Sequence, residues 1–478
     1  MQTLDVATVL PAQIRRARRD TLAHIPGNEG WPLIGRTLNV LADPKGEVER
    51  MAAKYGPVYR TRMLGETGVC LLGPEANEFV LCDQTKLFSS ALGWGTLLDR
   101  LFPRGLMLLD FEEHRVHRRT ISVAFKAESM KSYLTELDAG IAAQVMRWRS
   151  RPGPTLIYPE IKQLTFDLAA TSFLGPDTGR EMDDVKCAIS DMVAAAVAPI
   201  RKPWPGTKMA RGVRARAHIV GYFSAEVSRR RALDGEDLFS QLCRATDENG
   251  ALLSTQDIID HMSFMMTAAH DTLTSSLTSL VYFLATNPQW QSALRDEVTS
   301  LGLSATQPLA YEKLAALPQT EMVFKEAMRI LPPVPSVARR ATRDFTFGGY
   351  TIPAGTLLGI NQLYTHHMTE HWPEPDRFDP TRFTDAAQRA RHRYAYLPFG
   401  GGAHMCLGQH FAYMQAKCFA RHFLQNLTVS LEPGYRPAWQ MWPIPKPKDG
   451  LRVTLGSALE DQPAPEMDHV KSEFGQSM

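Results

Sequence analysis

The sequence predicts a mainly α-helical protein with a minor β region. Three observations carry this. A nearly continuous apolar stretch opens at Ser254 and is closed by Pro288, far too long for a strand. Further segments repeat apolar residues at helical spacing, among them 44–55, 156–175, 182–198, 319–330 and 409–425. Against these stand only short strand-like runs, each set off by glycines.

The bulk numbers bound the function. A chain of 478 residues can bury a large core, and length alone suggests two or three domains. With 44% hydrophobic and 22% charged residues, the composition is ordinary globular. A formal charge of +2 gives no affinity for a polyanion, so no nucleic acid partner is expected. None of the six cysteines forms a CxxC pair, which favours neither a zinc module nor a disulfide framework and points to a reducing, cytoplasmic setting. Met1–Arg19 is short, mixed and basic. It reads as a solvated arm rather than a signal or an anchor, so no stable membrane insertion is expected.

Taken in order, Ile25–Gly35 is a turn-laden segment rich in Pro and Gly. Pro44–Tyr55 is a helix; Val58–Met63 and Val69–Leu72 pair as strands around Gly65–Gly68. A helix restarts at Gly73–Ala76, proline being tolerated in a first turn. Phe88–Leu109 is apolar without a period, which predicts a long loop that packs on the core or covers an apolar ligand. Asp110–Arg119 begins a cationic helix, on which His114 and Arg118, four apart, share a face. Arg115 and Arg119 fall on other faces and are candidates to dock an acidic electron donor. Two helices flank a break at Pro199–Pro205, the second running over Ala210–Arg231.

Ser254-Thr255-Gln256-Asp257 has the form of a capping box. The helix it opens runs to Thr286, about 50 Å at 1.5 Å per residue, enough to cross the molecule. Its middle, Ala268 to Thr274, carries polar groups that are costly in a buried helix unless they are paired or used. Hydroxyls bonded back to the preceding turn suit Thr274 and Ser275 better than Thr272. Glu326 and Arg329, three apart, form a helical ion pair. Pro332–Val337 must run extended, Thr346–Leu358 holds two short strands, and Met441–Pro445 turns back toward the interior. From Gly456 the tail is polar and expected to be disordered.

The most informative stretch is Phe399 to Gly408, one cysteine among four glycines, directly before a helix. Glycines let a backbone approach a bulky group closely. Amide donors and a helix N-terminus stabilise a thiolate, which is a soft axial ligand for a haem iron. The segment resembles the haem-ligand loop of the cytochrome P-450 family at Phe399, Gly402, Cys406 and Gly408, with His404 where that family usually has Arg.

The resemblance spans residues 25–455 and implies one mainly helical domain, preceded by an arm (1–24) and followed by the tail (456–478). It implies haem b, iron protoporphyrin IX, held between the long distal helix and the helix after the cysteine loop. Cys406 would be the axial ligand, with Phe399, Gly400 and Gly408 shaping its loop. His114, Arg118 and His404 would bond the propionates, joined by Arg339, with neighbouring Arg340 as its rival. Ala268 lets a flat cofactor approach; Asp271 and Thr272 match the acid–alcohol pair that delivers protons for dioxygen activation. The family's buried Glu–Arg–Arg network falls on Glu326, Arg329 and Arg377, a structural role. The family often has Gly where this chain has Phe111.

Substrate walls are expected at Leu92, Trp94, Leu97, Met192, Phe264, Met265, Ala268, Val334, Val337 and Ile444, with Val193, Val197 and Trp204 beside them. These are apolar, which favours a lipophilic molecule. The function implied is a monooxygenase that hydroxylates such a molecule with dioxygen. Its electrons would come from a separate ferredoxin and an NAD(P)H-dependent ferredoxin reductase. Lys54–Val58 and Glu112–His114 look like the branch that oxidises sterols, retinoids and terpenoids, so a terpenoid or steroid is favoured and a fatty acid is second. The rivals are a peroxide-driven peroxygenase, a non-catalytic haem sensor and a helical protein without cofactor. The acid–alcohol pair speaks against the first.

Overall fold

The structure is a computed structural model that describes residues 14–175, 180–196, 198 and 200–458. Residues 1–13 of the expected arm, 459–478 of the expected tail, and Val197 lie outside the described residues.

The N-terminal part is mixed. It holds β1 (Gly27–Asn28), α1 (Thr37–Ala42), α2 (Pro44–Tyr55), β2 (Val58–Met63), β3 (Glu66–Leu71) and α3 (Pro74–Leu81). Asp43 caps α2, its carboxylate accepting from the Gly46 amide at 2.9 Å. The Phe88–Leu109 stretch is not a loop throughout. It contains β4 (Phe88–Ser89) and α4 (Ser90–Leu98), the latter capped by Ser89, whose Oγ accepts from the Leu92 amide at 2.9 Å. Helix α4 is apolar on most sides, so no periodic face marks it in the sequence.

The helical body follows, with α5 (Phe111–Ile121), α6 (Ala127–Arg149), β5 (Gly153–Leu156), α7 (Ile157–Leu174), α8 (Arg180–Ala196), α9 (Lys208–Arg231) and α10 (Leu238–Arg244). Phe111 opens α5 at φ +49°, the left-handed region that an aromatic residue rarely occupies. It is the position where the resembled family often has Gly. Next come α11 (Thr255–Thr286), α12 (Pro288–Ser300) and α13 (Pro318–Ile330). Helix α11 has 32 residues and starts as its capping box predicts, Ser254 Oγ accepting from the Asp257 amide at 3.0 Å. Its apolar faces are buried against α7, α9 and α13, which makes it the axis of the main core.

The C-terminal part holds β6 (Val337–Ala341), β7 (Phe345–Phe347), β8 (Tyr350–Ile352), β9 (Leu357–Ile360), α14 (Gln362–Thr365), α15 (Asp385–Ala390), α16 (Gln409–Asn426), β10 (Leu427–Ser430), β11 (Trp439–Gln440), β12 (Lys446–Pro447) and β13 (Arg452–Ser457). The largest sheet has the order β1-β2-β3-β9-β6-β4 and a second has the order β10-β13-β5. The first sheet carries a smaller core of its own.

Ordered structure continues past both ends of residues 25–455. Strand β13 continues through Gly456 to Ser457, paired with β10, because its pairing partner and not its composition orders it. The described end of the arm is docked: Leu22 is fully buried and the Ala17 amide donates to Gly355 O at 3.1 Å. Strand β3 begins at Glu66 rather than Val69, since Met63 and Glu66 already pair across the Leu64–Gly65 turn.

Candidate active site

Along α11, Phe264, Ala268, Asp271 and Thr272 are half-buried while most of their neighbours are buried. Spaced at i, i+4, i+7 and i+8, they share one partly exposed face of the helix. Helix α11 is unbroken here, as Ala269 in place of a glycine favours. The back-bonding expectation needs correcting. Thr272 Oγ1 donates to Ala268 O at 2.7 Å, whereas Ser275 Oγ reaches across to Pro445 O at 2.7 Å. Only Thr274 behaves as expected, donating to His270 O at 2.9 Å. Asp271 Oδ1 lies 4.0 Å from Lys162 Nζ and 3.5 Å from His270 Nε2. Burial lowers the His270 pKa to about 4, so that imidazole is neutral near pH 7.

The cysteine loop is built by close approach. Gly402 has φ +63°, and a Cβ there would lie 1.7 Å from Leu81 O, so only glycine fits against α3. The Cys406 amide donates to Phe399 O at 2.8 Å, closing the loop, and the Phe399 ring lies 5.3 Å from that of Tyr413. The Cys406 sulfur is accessible yet deep among protein atoms. Burial raises its pKa, opposed by the Gly408 amide and the Arg118 charge, the two groups that stabilise a thiolate. A second thiol cluster, Asp138, Cys418 and His422, is buried between α6 and α16. There Arg421 already supplies the positive charge beside Asp138, so the cluster is a closed polar network of the core rather than a cofactor seat.

Four bases converge beside the loop. The His114 and His404 rings stack at 3.9 Å, and Arg118 and Arg339 line the same pocket. Burial lowers all four, His114 to about 4 and Arg339 to about 10, and each histidine is lowered further by the two guanidinium groups. Asp110, 4.0 Å from His404 Nε2, is held by Ser89 Oγ and by the Ser90 and Ala91 amides at 2.7 and 3.2 Å, while Asp83 and Glu112 line the pocket's outer side beside Lys86, Arg115 and Arg119. His114 Nε2 is buried without a hydrogen-bond partner among the described residues. A pocket with this excess of desolvated positive charge fits a group carrying two carboxylates, as the edge of a haem does. The Arg339/Arg340 alternative resolves on geometry. Arg340 is committed to Glu66 at 2.6 Å, Leu92 O at 3.1 Å and Gly355 O at 2.8 Å. Arg339 faces the histidines. The two side chains project from opposite faces of β6, a one-residue matter that adjacent arginines do not reveal.

The supporting network departs from expectation at one member. Glu326 and Arg329 are fully buried and doubly bonded at 2.7 and 2.8 Å. The third cation is Arg382, whose Nε lies 3.5 Å from Glu326 Oε1. Arg377 is exposed and pairs with Glu374; only its backbone carbonyl meets Arg329, at 3.3 Å. Arg377 and Arg382 both precede a Phe, so the local pattern could not separate them.

Of the expected pocket walls, Leu92, Trp94, Leu97, Phe264, Ala268, Val334, Val337 and Ile444 are half-buried. Met265 is 9% exposed, and the bond from Ser275 to Pro445 lays the Ile444 segment on α11. Met192 is corrected: it is sealed in the core. Trp204 is 62% exposed. Val197 lies outside the described residues. Arg115 and Arg119, the candidates to dock an acidic electron donor, are exposed and pair with Glu112 at 2.5 Å and Glu248 at 2.6 Å. Asp110 was missed as an organiser of this region. An acid directly before a helix reads as an N-cap, yet its side chain binds the start of α4 instead.

Comparison with known proteins converges with this geometry. The sequence pattern of the cytochrome P450 family matches residues 25–451. A putative cytochrome P450 136 from Mycobacterium tuberculosis is 36% identical over 440 residues, covering 91% of this chain and 89% of the relative. A taxane 10-beta-hydroxylase from Taxus cuspidata is 27% identical over 467 residues, 94% of this chain and 93% of the relative. The solved structure of cyanobacterial CYP120A1 bound to retinoic acid is 30% identical with a TM-score of 0.82, covering 90% of this chain and 99% of that one. The chain belongs to the cytochrome P450 family, and with it takes haem as its cofactor.

Proposed function

We propose that this P450 is a monooxygenase that hydroxylates a lipophilic terpenoid or steroid, with a fatty acid as the second choice, inside a catalytic domain of residues 25–455. Cys406 would hold the haem iron, and His114, Arg118, Arg339 and His404 would take the propionates. When bound, haem with a thiolate ligand supplies activation of dioxygen, the thiolate donating electron density. Asp271 and Thr272 carry the proton-delivery role. Because Thr272 Oγ1 already donates to Ala268 O, its lone pairs remain free to accept a bond from a proton donor. Asp271, 4.0 Å from the half-exposed Lys162, draws protons from solvent in this reading. The single observation that carries the reading is this acid–alcohol pair on the partly exposed face of α11.

Substrate class rests on the apolar walls and on two relatives, one named for a taxane and one solved with retinoic acid. Electrons come from a ferredoxin and its NAD(P)H-dependent reductase in the cytoplasm. The test is turnover of a terpenoid and steroid panel with a surrogate ferredoxin system, in wild type and Thr272→Ala. The variant should keep consuming NADH while product falls on the order of a hundredfold. Unchanged coupling would remove the role given to Thr272. Product formed from hydrogen peroxide but never from NADH would replace the monooxygenase with a peroxygenase.

A further inference from the structure

His270 is the polar residue in the middle of α11 that the proton-delivery reading leaves without a task. It stands next to Asp271 in the chain and is buried. Its ring is held from α7. The Phe166 ring meets it edge to face at 5.0 Å, and Thr165 Oγ1 lies 3.2 Å from its Nδ1. Thr165 Oγ1 in turn lies 2.6 Å from Thr274 Oγ1 and 3.2 Å from Lys162 O, and both threonines are buried. At the far side of the ring, Nε2 lies 3.5 Å from Asp271 Oδ1.

Counting hydrogens along this chain fixes the imidazole tautomer. A threonine hydroxyl has one hydrogen to give. That of Thr274 goes to His270 O at 2.9 Å. The 2.6 Å contact between the threonines therefore takes the hydrogen of Thr165. With that hydrogen spent, Thr165 Oγ1 can only accept from the ring, so Nδ1 carries the imidazole proton. Burial lowers the His270 pKa to about 4, so near pH 7 the ring has no second proton to offer. Nε2 is left as a bare acceptor toward the Asp271 carboxyl. An ionised carboxylate has only acceptors and gains nothing from it, whereas a protonated one has a hydrogen to place there.

We propose that His270 is a positioning residue for proton delivery: its Nε2 accepts the hydrogen of Asp271 whenever that acid is loaded, and holds the carboxyl in one orientation until the proton is passed on. The 3.5 Å separation closes to a full bond in the loaded state. The O–H bond forms at Asp271 when a proton arrives from solvent and breaks when it leaves. His270 gains and loses no proton, and no electron moves. The charged and titratable groups facing the pair all come from α7: Lys162, 4.0 Å from Asp271 Oδ1, with Asp167 and Tyr158. The inference rests on the monooxygenase reading, in which Asp271 and Thr272 deliver protons.

The first test is the tautomer itself. Holoprotein with isotope-labelled histidine, reduced and bound to carbon monoxide so that the iron is diamagnetic, is read by two-bond nitrogen–proton correlation. The His270 signals are those that His270→Gln removes. A proton on Nδ1 is expected, and a proton on Nε2 overturns the proposal. The second test is coupling of NADH consumption to product, with its solvent deuterium isotope effect, on the substrate that the terpenoid and steroid panel identifies. His270→Leu should lower coupling about fivefold and enlarge the isotope effect. His270→Gln, whose amide donates to Thr165 and accepts from Asp271, should recover most of that loss. Thr165→Val frees the tautomer without touching the ring and should move both readouts in the same direction, which keeps the test open if His270→Leu fails to fold. Coupling and isotope effect unchanged in the folded variants overturn the proposal, as does a His270→Gln loss equal to that of His270→Leu. The tautomer is read without turnover, so the two failures are separable. Coupling indifferent to Thr272→Ala removes the proton-delivery reading, and a proton on Nε2 removes this inference.

Discussion

Replacing Glu326, Arg382 and Arg377 one at a time tests how the cysteine loop's support is wired. Glu326 accepts two bonds from Arg329, at 2.7 and 2.8 Å, and one from the Asp379 amide at 3.0 Å, with Arg382 at 3.5 Å. Glu326→Gln removes the carboxylate paired with the fully buried Arg329 guanidinium and should cost about 3–5 kcal/mol. Arg382→Met leaves the Glu326–Arg329 pair intact but forfeits one nearby charge and a bond to Glu374 O at 3.1 Å, about 1–2 kcal/mol. Arg377→Met removes an exposed pair with an exposed Glu374 and should cost under about 0.5 kcal/mol, because the carbonyl that meets Arg329 survives the change. Urea unfolding followed by tryptophan fluorescence reads all three, with Trp372 fully buried 5.1 Å from the Arg329 guanidinium as a local reporter. An Arg377→Met loss equal to that of Arg382→Met would refute the assignment. So would a Glu326→Gln loss below about 1 kcal/mol.

Three further outcomes follow from single positions. Gly402→Ala should abolish the folded loop, since its Cβ would overlap Leu81 O; a normal holoprotein yield on purification would contradict this. Phe111→Val should cost about 1–2 kcal/mol in urea because a β-branched residue is worse still at φ +49°, whereas Phe111→Gly should cost little despite losing a whole ring. His270 is depressed from 6.5 to about 4, so the unfolded chain binds a proton that the folded chain refuses throughout that interval. Stability should therefore be whole above pH 6.5 and fall by roughly 3 kcal/mol from this group as pH drops toward 4. His270→Gln should flatten that part of the curve, and an unchanged slope would show that the proton is taken up elsewhere.

Much of this protein is written in local sequence. The 32-residue α11, with its capping box, and the helix after the cysteine loop were legible because apolar periodicity and caps act within a few turns. The tight turn at Gly402 was legible because a run of glycines directly before a helix marks a close-packed loop, whereas the roles given to Cys406, Asp271 and Thr272 rest on the family resemblance. The helix α4 was not, because a segment apolar on nearly every side has no face for a period to reveal.

What the tertiary structure alone decided is which of two similar side chains is used. It chose Arg339 over Arg340 by the face of β6, and Arg382 over Arg377 by reach to a carboxylate more than fifty residues away in sequence. It sealed Met192 in the core and paired Arg115 with Glu112 and Arg119 with Glu248. Sequence fixes what a residue can do within its own helix or turn. Partner choice depends on distances between segments remote in the chain, and those exist only after folding.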